Sequence, residues 1–146
     1  MILIFRAECA EFWGVCLEKH MHENQISDRV IGAAFKVHTA LGPGLLESVY
    51  EAVLAYELRK EGLHVETQKP IPVIYDEVKL DLGFRLDLLV ENKVVVELKS
   101  SIETLLPVHH KQLLTYLKLA NYKLGLLMNF NTALLRSQLS RLVNGL

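Results

Sequence analysis

Asp87 and the run Val94-Val95-Val96-Glu97-Leu98-Lys99 set two carboxylates and an amine into an otherwise apolar stretch. The run reads as a strand, and its period of two puts Glu97 and Lys99 on one face with Leu98 on the other. Charges left buried and unpaired are costly, so these groups call for partners, a metal ion or a water-filled cleft. Their oxygens suit a hard cation such as Mg2+ or Mn2+: Asp87 and Glu97 supply carboxylates, and the Leu98 backbone carbonyl supplies a third ligand. Lys99 would then orient and help deprotonate an attacking water, or offset charge on a scissile phosphate. Phosphodiester hydrolysis is the chemistry that fits this set. Taken alone, the residues fit a Glu–Lys ion pair on a solvated face equally well, because so short a pattern matches many unrelated sequences.

Other elements must bring these groups together. From Pro107 onward, apolar residues at 113, 114, 117 and 120 predict an amphipathic helix. Gln112 and Tyr116, four apart, share a face outside the apolar stripe, where they can bond a phosphate or the lysine; a polar surface with Tyr116 partly packed is the commoner arrangement. Upstream, Gly42-Pro43-Gly44 breaks the chain, and Leu45, Val49, Ala52, Val53 and Tyr56 predict a helix running to about Gly62. Glu47 in its first turn is favoured by the helix dipole, and from there it also reaches toward a metal cluster, with Tyr50 on the adjoining face.

Ahead of these, Ile26, Val30, Ala33, Ala34, Val37 and Leu41 predict a helix over about residues 25–41, with Asn24 or Ser27 as cap. His38 on that helix reads as a packed histidine that could also face the cleft. Strands are predicted at 63–69, 72–75 and 80–90, the last bent at Gly83, with Asn92 turning the chain into the Val94 strand. That hairpin brings Asp87 beside Glu97. A strand over 123–130, packed closely at Gly125, and a helix over 133–143 complete the order. The architecture is an α/β sandwich, a mixed central sheet flanked by helices, arranged as an αβββαβ core with an added helix at each end. His109 and His110 point about 100° apart on a helix, so one ion cannot easily take both.

GLLESVYE, GFRLDLLVENKVVVELKS, QLLTYL and LGLLMNF, in that order, resemble the GxxExxY family, a bacterial and archaeal branch of the PD-(D/E)XK nuclease superfamily. The likeness runs from about Ile26 to the C-terminus. It implies a restriction-endonuclease-like fold and metal-dependent nuclease activity. By that resemblance Asp87 and Glu97 ligate the metal and Lys99 activates water. Glu47 matches the acidic residue of the first core helix, and Gln112 and Tyr116 resemble the QxxxY element of RecB-type nucleases. Each position keeps the residue type that the family pattern requires. The same fold also carries proteins without catalysis, so a nonenzymatic module binding nucleic acid or protein is the alternative class.

Composition sets limits on partners. A chain of 146 residues, 51% hydrophobic, is one ordinary domain. Sixteen basic against 17 acidic residues give a net charge of −1, without the basic excess of proteins that hold nucleic acid by phosphate neutralisation. A bound cation restores local positive potential, and Tyr50, Arg85 and Lys111 are the candidate substrate contacts. The expected partner is nucleic acid, DNA in preference to RNA, with a homodimer or a protein partner to strengthen the grip. The apolar start Met1-Ile2-Leu3-Ile4-Phe5 is interrupted by Arg6, Glu8 and Glu11, too early for a secretory segment or membrane span, so a cytoplasmic location is expected. Cys9 and Cys16, the two cysteines, form neither a disulfide framework nor a zinc site. Residues 1–22 are expected to be an extension, added in this lineage or by a misassigned start, ahead of a nuclease-like domain over 23–146.

Overall fold

The computed structural model describes residues 20–146, so the expected extension lies almost wholly outside the described residues. The first helix among the described residues, α1 (Glu23–Leu41), is capped by His22, two residues ahead of the expected Asn24. His22, in extended conformation, accepts the Asn24 N–H on Nδ1 at 3.2 Å, and Gln25 Oε1 accepts the His22 N–H at 3.0 Å. Gly42, with φ at 69°, ends the helix by donating its N–H to the His38 carbonyl at 2.8 Å. There follow α2 (Glu47–Lys60), β1 (Val65–Tyr75), β2 (Val78–Val90), β3 (Val94–Lys99), α3 (Pro107–Ala120), β4 (Leu124–Asn129), a 3-10 turn (Leu135–Gln138) and β5 (Leu139–Val143).

Among the described residues the strands form one sheet in the order β1-β2-β3-β4-β5. Its pairs are antiparallel except β3 with β4, which run parallel and are joined by the α3 crossover. The unbroken apolar run of β3 has a simple cause: both faces of this strand are covered. Val94, Val96 and Leu98 enter one core with Ile26, Val30, Tyr50 and Leu54 of α1 and α2. Val95 enters a second core with Leu113 and Leu117 of α3. Each fully buried aliphatic side chain of this kind contributes about 1.5–3 kcal/mol. Gly125 lets α3 approach β4 closely, since a Cβ there would stand 3.1 Å from three carbons of the Leu113 side chain. The expected restriction-endonuclease-like α/β sandwich with a mixed sheet is the observed architecture.

Two expectations are corrected. The segments at 63–69 and 72–75 are one strand, β1, because it lies at the sheet edge, where Pro70 and Pro72 cost no bond to a further strand. The predicted helix over 133–143 is instead the 3-10 turn followed by β5, which pairs antiparallel with β4 from Leu124↔Val143 to Met128↔Leu139. Leu135, Leu139 and Leu142 have helical spacing, but β4 is wholly buried and needs partners for its outer row of N–H and C=O groups. Among the described residues the added helix therefore exists at the N-terminal end alone, as α1.

The bend expected at Gly83 is a register shift between Ile71 and Val73 on the opposing strand. A Cβ at Gly83 would overlap the Ile71 carbonyl oxygen. Gly83→Ala is therefore expected to destabilise the fold by about 1–3 kcal/mol, the usual range for overpacking. Urea unfolding measures this, and an unchanged midpoint would show that the β1–β2 ribbon relaxes freely. Among the described residues, no helix is long and apolar enough to cross a membrane.

Candidate active site

The β2–β3 hairpin turns at Glu91 and Asn92, both with φ at 53°, and its ladder runs Val90↔Val94, Leu89↔Val95 and Leu88↔Val96. The next pair would be Asp87 with Glu97. There the ladder stops, and Asp87 Oδ2 accepts the Leu98 N–H at 2.8 Å in place of a backbone carbonyl. β3 meanwhile stays paired with β4 as far as Lys99↔Asn129. The sheet thus forks between β2 and β3, and the fork sets the Asp87 carboxylate against the β3 backbone next to Glu97.

Glu97 is only 6% exposed. Its Oε1 receives Lys99 Nζ at 3.1 Å, while its Oε2 is buried without a partner among the described residues. Burial first, then the negative charge of Asp87, pushes the Glu97 carboxyl up to about 7 against the pull of Lys99. Burial likewise raises Asp87, opposed by the Leu98 N–H and Lys99. Glu47, in the first turn of α2, is raised by burial, opposed by Lys99 and reinforced by Asp87. For Lys99 burial works downward, but the attraction of Glu97, Glu47 and Asp87 outweighs it, and its pKa is raised. Lys99 is therefore an ammonium at neutral pH.

From the opposite layer, α3 adds Gln112, whose Nε2 donates to Tyr116 Oη at 2.7 Å. The Tyr116 ring stacks on Phe84 at 4.0 Å and 6°, and its hydroxyl is raised by burial and then by Glu97. The structure thus brings Asp87, Glu97, Lys99, Glu47 and Tyr116 into one electrostatic neighbourhood, with Gln112 bonded to it. Arg85, two residues before Asp87, and Lys111 on α3 are exposed.

Tyr50 is a correction. It is fully buried, so it does not meet a substrate. Its hydroxyl donates to the Gly42 carbonyl at 2.5 Å and accepts the Leu45 N–H at 3.1 Å, and its ring stacks on Phe130 at 4.5 Å. Tyr50 thereby clamps the loop that leads into α2 and fixes where Glu47 begins. His38, His109 and His110 are structural too. His38 Nε2 bonds the Thr132 carbonyl at 2.9 Å beside Phe130. His109 Nδ1 accepts the Leu106 N–H at 3.0 Å, while His110 bridges the Leu106 carbonyl at 3.0 Å and Ser140 Oγ at 2.8 Å.

Two residues escaped the sequence reading. Glu51, one turn after Glu47, accepts Gln68 Nε2 on Oε2 at 2.6 Å, and the same nitrogen lies 3.5 Å from Asp87 Oδ1. Glu51 is raised by burial, opposed by Gln68 and reinforced by Asp87. The i,i+4 spacing of Glu47 and Glu51 was the available signal. Nothing in the sequence marks Gln68.

The donor set suits a hard cation. Glu47, Glu51, Asp87 and Glu97 are all displaced toward their protonated forms, and one carboxylate oxygen is buried and unpaired. Among the described residues no three His, Cys, Asp or Glu side chains stand close enough to enclose an ion by themselves. Mg2+ commonly takes only one or two carboxylates and fills its remaining positions with water and phosphate, so a pair of carboxylates is compatible with it.

The solved structure of SSO0001 is similar to this chain at 20% identity with a TM-score of 0.52, covering 100% of this chain and 79% of that one; the likeness concerns the fold. No curated protein matches. The family model of the PD-(D/E)XK nuclease superfamily matches residues 24–142, from the start of α1 through nearly all of β5 and across the whole fork. The chain belongs to the PD-(D/E)XK nuclease superfamily.

Proposed function

We propose that this protein is a Mg2+- or Mn2+-dependent nuclease of the GxxExxY branch, hydrolysing phosphodiester bonds in DNA in preference to RNA, in the cytoplasm. The observation that carries this reading is Glu97: a nearly buried carboxylate with an orphaned oxygen, pushed up to about 7 beside a second carboxylate. Asp87, Glu97 and the Leu98 carbonyl would hold the cation, with Glu47 in reach directly or through water. When bound, the cation supplies an acidified water and offsets charge on the phosphate.

The chain's own groups do the rest. Lys99, held by Glu97 as an ammonium, orients the attacking water by hydrogen bonding and stabilises charge on the phosphate. The Gln112–Tyr116 pair presents an amide and a phenol to the same neighbourhood and orients a phosphate oxygen. Arg85 and Lys111 meet the nucleic-acid backbone. Residues 23–146 are the nuclease domain and 1–22 an extension. A net charge of −1 leaves little non-specific grip, so a homodimer or a protein partner completes the substrate surface. That same charge favours the second reading, a nonenzymatic nucleic-acid- or protein-binding module.

The two readings separate in one assay. Linear and circular, single- and double-stranded DNA and RNA are incubated with purified protein and Mn2+ or Mg2+. Cleavage that stops with chelator and is lost in Asp87→Asn is the expected result. Cleavage that persists equally in Asp87→Asn would come from a contaminant, and binding without cleavage would establish the module.

A further inference from the structure

Gln68 sits in the middle of β1 with φ at 52°, in the left-handed region that a glutamine seldom occupies. Ladder pairs flank it on both sides, Thr67↔Leu88 and Lys69↔Leu86, yet none joins Gln68 to Asp87. The ribbon changes face at this point. Leu88 and Val90 enter the core beneath α1 and α2, whereas Leu86 enters the core beneath α3, although strict alternation would place all three on one side. Strained backbone that persists in a strand is held there by its surroundings, and it clusters at functional sites.

The surroundings here are two carboxylates. Gln68 Nε2 donates to Glu51 Oε2 at 2.6 Å and stands 3.5 Å from Asp87 Oδ1, the outer limit of a hydrogen bond. The other Asp87 oxygen is taken by the Leu98 N–H. We infer that Gln68, anchored by Glu51, is a positioning residue that fixes the orientation of the Asp87 carboxylate for cation binding. Leu98 N–H holds one oxygen against β3, and the amide limits rotation of the other. Glu51 acts through Gln68 rather than on the cation. This inference rests on the metal-dependent nuclease reading. Outer residues that orient a ligand typically change metal affinity by about 10–100-fold when removed.

Gln68 is exposed and glycine tolerates its φ, so Gln68→Gly removes the amide without opening a cavity and relieves the backbone. The experiment is Mn2+ titration by calorimetry, with thermal unfolding of the metal-free protein as a control on folding. Expected are a Gln68→Gly variant at least as thermostable as the wild type, and Mn2+ affinity weakened about 10–100-fold. Glu51→Ala should match it, and Glu51→Gln, which keeps an acceptor for the amide, should restore most of the loss. The double variant Glu51→Ala/Gln68→Gly should be no worse than either single change, as for residues acting in one chain. Unchanged affinity in Gln68→Gly, or additive losses in the double variant, overturns the inference while leaving the nuclease reading standing. A wild-type protein that binds no Mn2+ overturns both.

Discussion

Lys99→Ala is expected to lower metal-dependent cleavage by about 10²–10⁴-fold, the range in which a positioned proton-handling or charge-stabilising side chain contributes. The Lys99 ammonium is a partner of Glu97 at 3.1 Å and also opposes the charges of Asp87 and Glu47. Removing it acts twice. The group that orients water and phosphate is gone, and the neighbouring carboxyls, already displaced toward the protonated form, rise further. The defect should therefore be larger near pH 6 than near pH 8, because protons then compete harder with the cation. Lys99→Arg keeps the charge but spreads it over a planar fork, so it should recover part of the cation binding and little of the cleavage. Single-turnover cleavage across pH, at one Mn2+ concentration below saturation and again at saturation, measures the two effects separately. A loss smaller than about tenfold would remove Lys99 from the chemistry, and one independent of pH would remove its effect on the neighbouring carboxyls.

Without metal, the protein is expected to lose stability as pH rises. The Glu97 carboxyl moves from an ordinary 4.5 to about 7 in the folded chain. Between those values the folded protein holds a proton that the unfolded chain has released, so rising pH favours unfolding. The associated stability is fully present below the unfolded value and is lost as pH passes through the folded one. A displacement from 4.5 to about 7 corresponds to about 3 kcal/mol. Asp87, Glu47 and Glu51 are raised as well and act with the same sign. A divalent cation reverses the trend, since it binds only the deprotonated carboxylates and stabilises the folded state more as pH increases. Urea unfolding in chelator and in Mn2+, at steps between about pH 4.5 and 8, should give slopes of opposite sign. Glu97→Gln should flatten the chelator profile and abolish most of the metal response. A chelator profile that rises with pH would contradict the burial of Glu97.

Much of the fold follows from local patterns. α1, α2 and α3 carry apolar residues at helical spacing, and Val94 to Val96 is too apolar to be anything but a strand covered on both sides. The candidate site was legible for a related reason: carboxylates and an amine in apolar strands are conspicuous, and the ordered motifs resemble a nuclease superfamily whose membership the family comparison bears out. Tyr50 shows the limit of that legibility. It shares a motif with Glu47, but a buried ring and a hydroxyl bonded back to Gly42 give it a clamping task.

Local sequence determined the helices, the hairpin turning at Asn92 and the residue types of the candidate site, because side-chain periodicity and turn preference are properties of neighbours. Tertiary structure alone decided that residues 139–143 form β5, since the open edge of β4 outweighs their helical spacing. It also decided that Glu51 and Gln68 converge on Asp87, and that the β2–β3 ladder ends where Asp87 takes the Leu98 N–H. Those outcomes depend on hydrogen-bond donors and acceptors from segments far apart in the chain, whose needs are met only once the sheet is assembled.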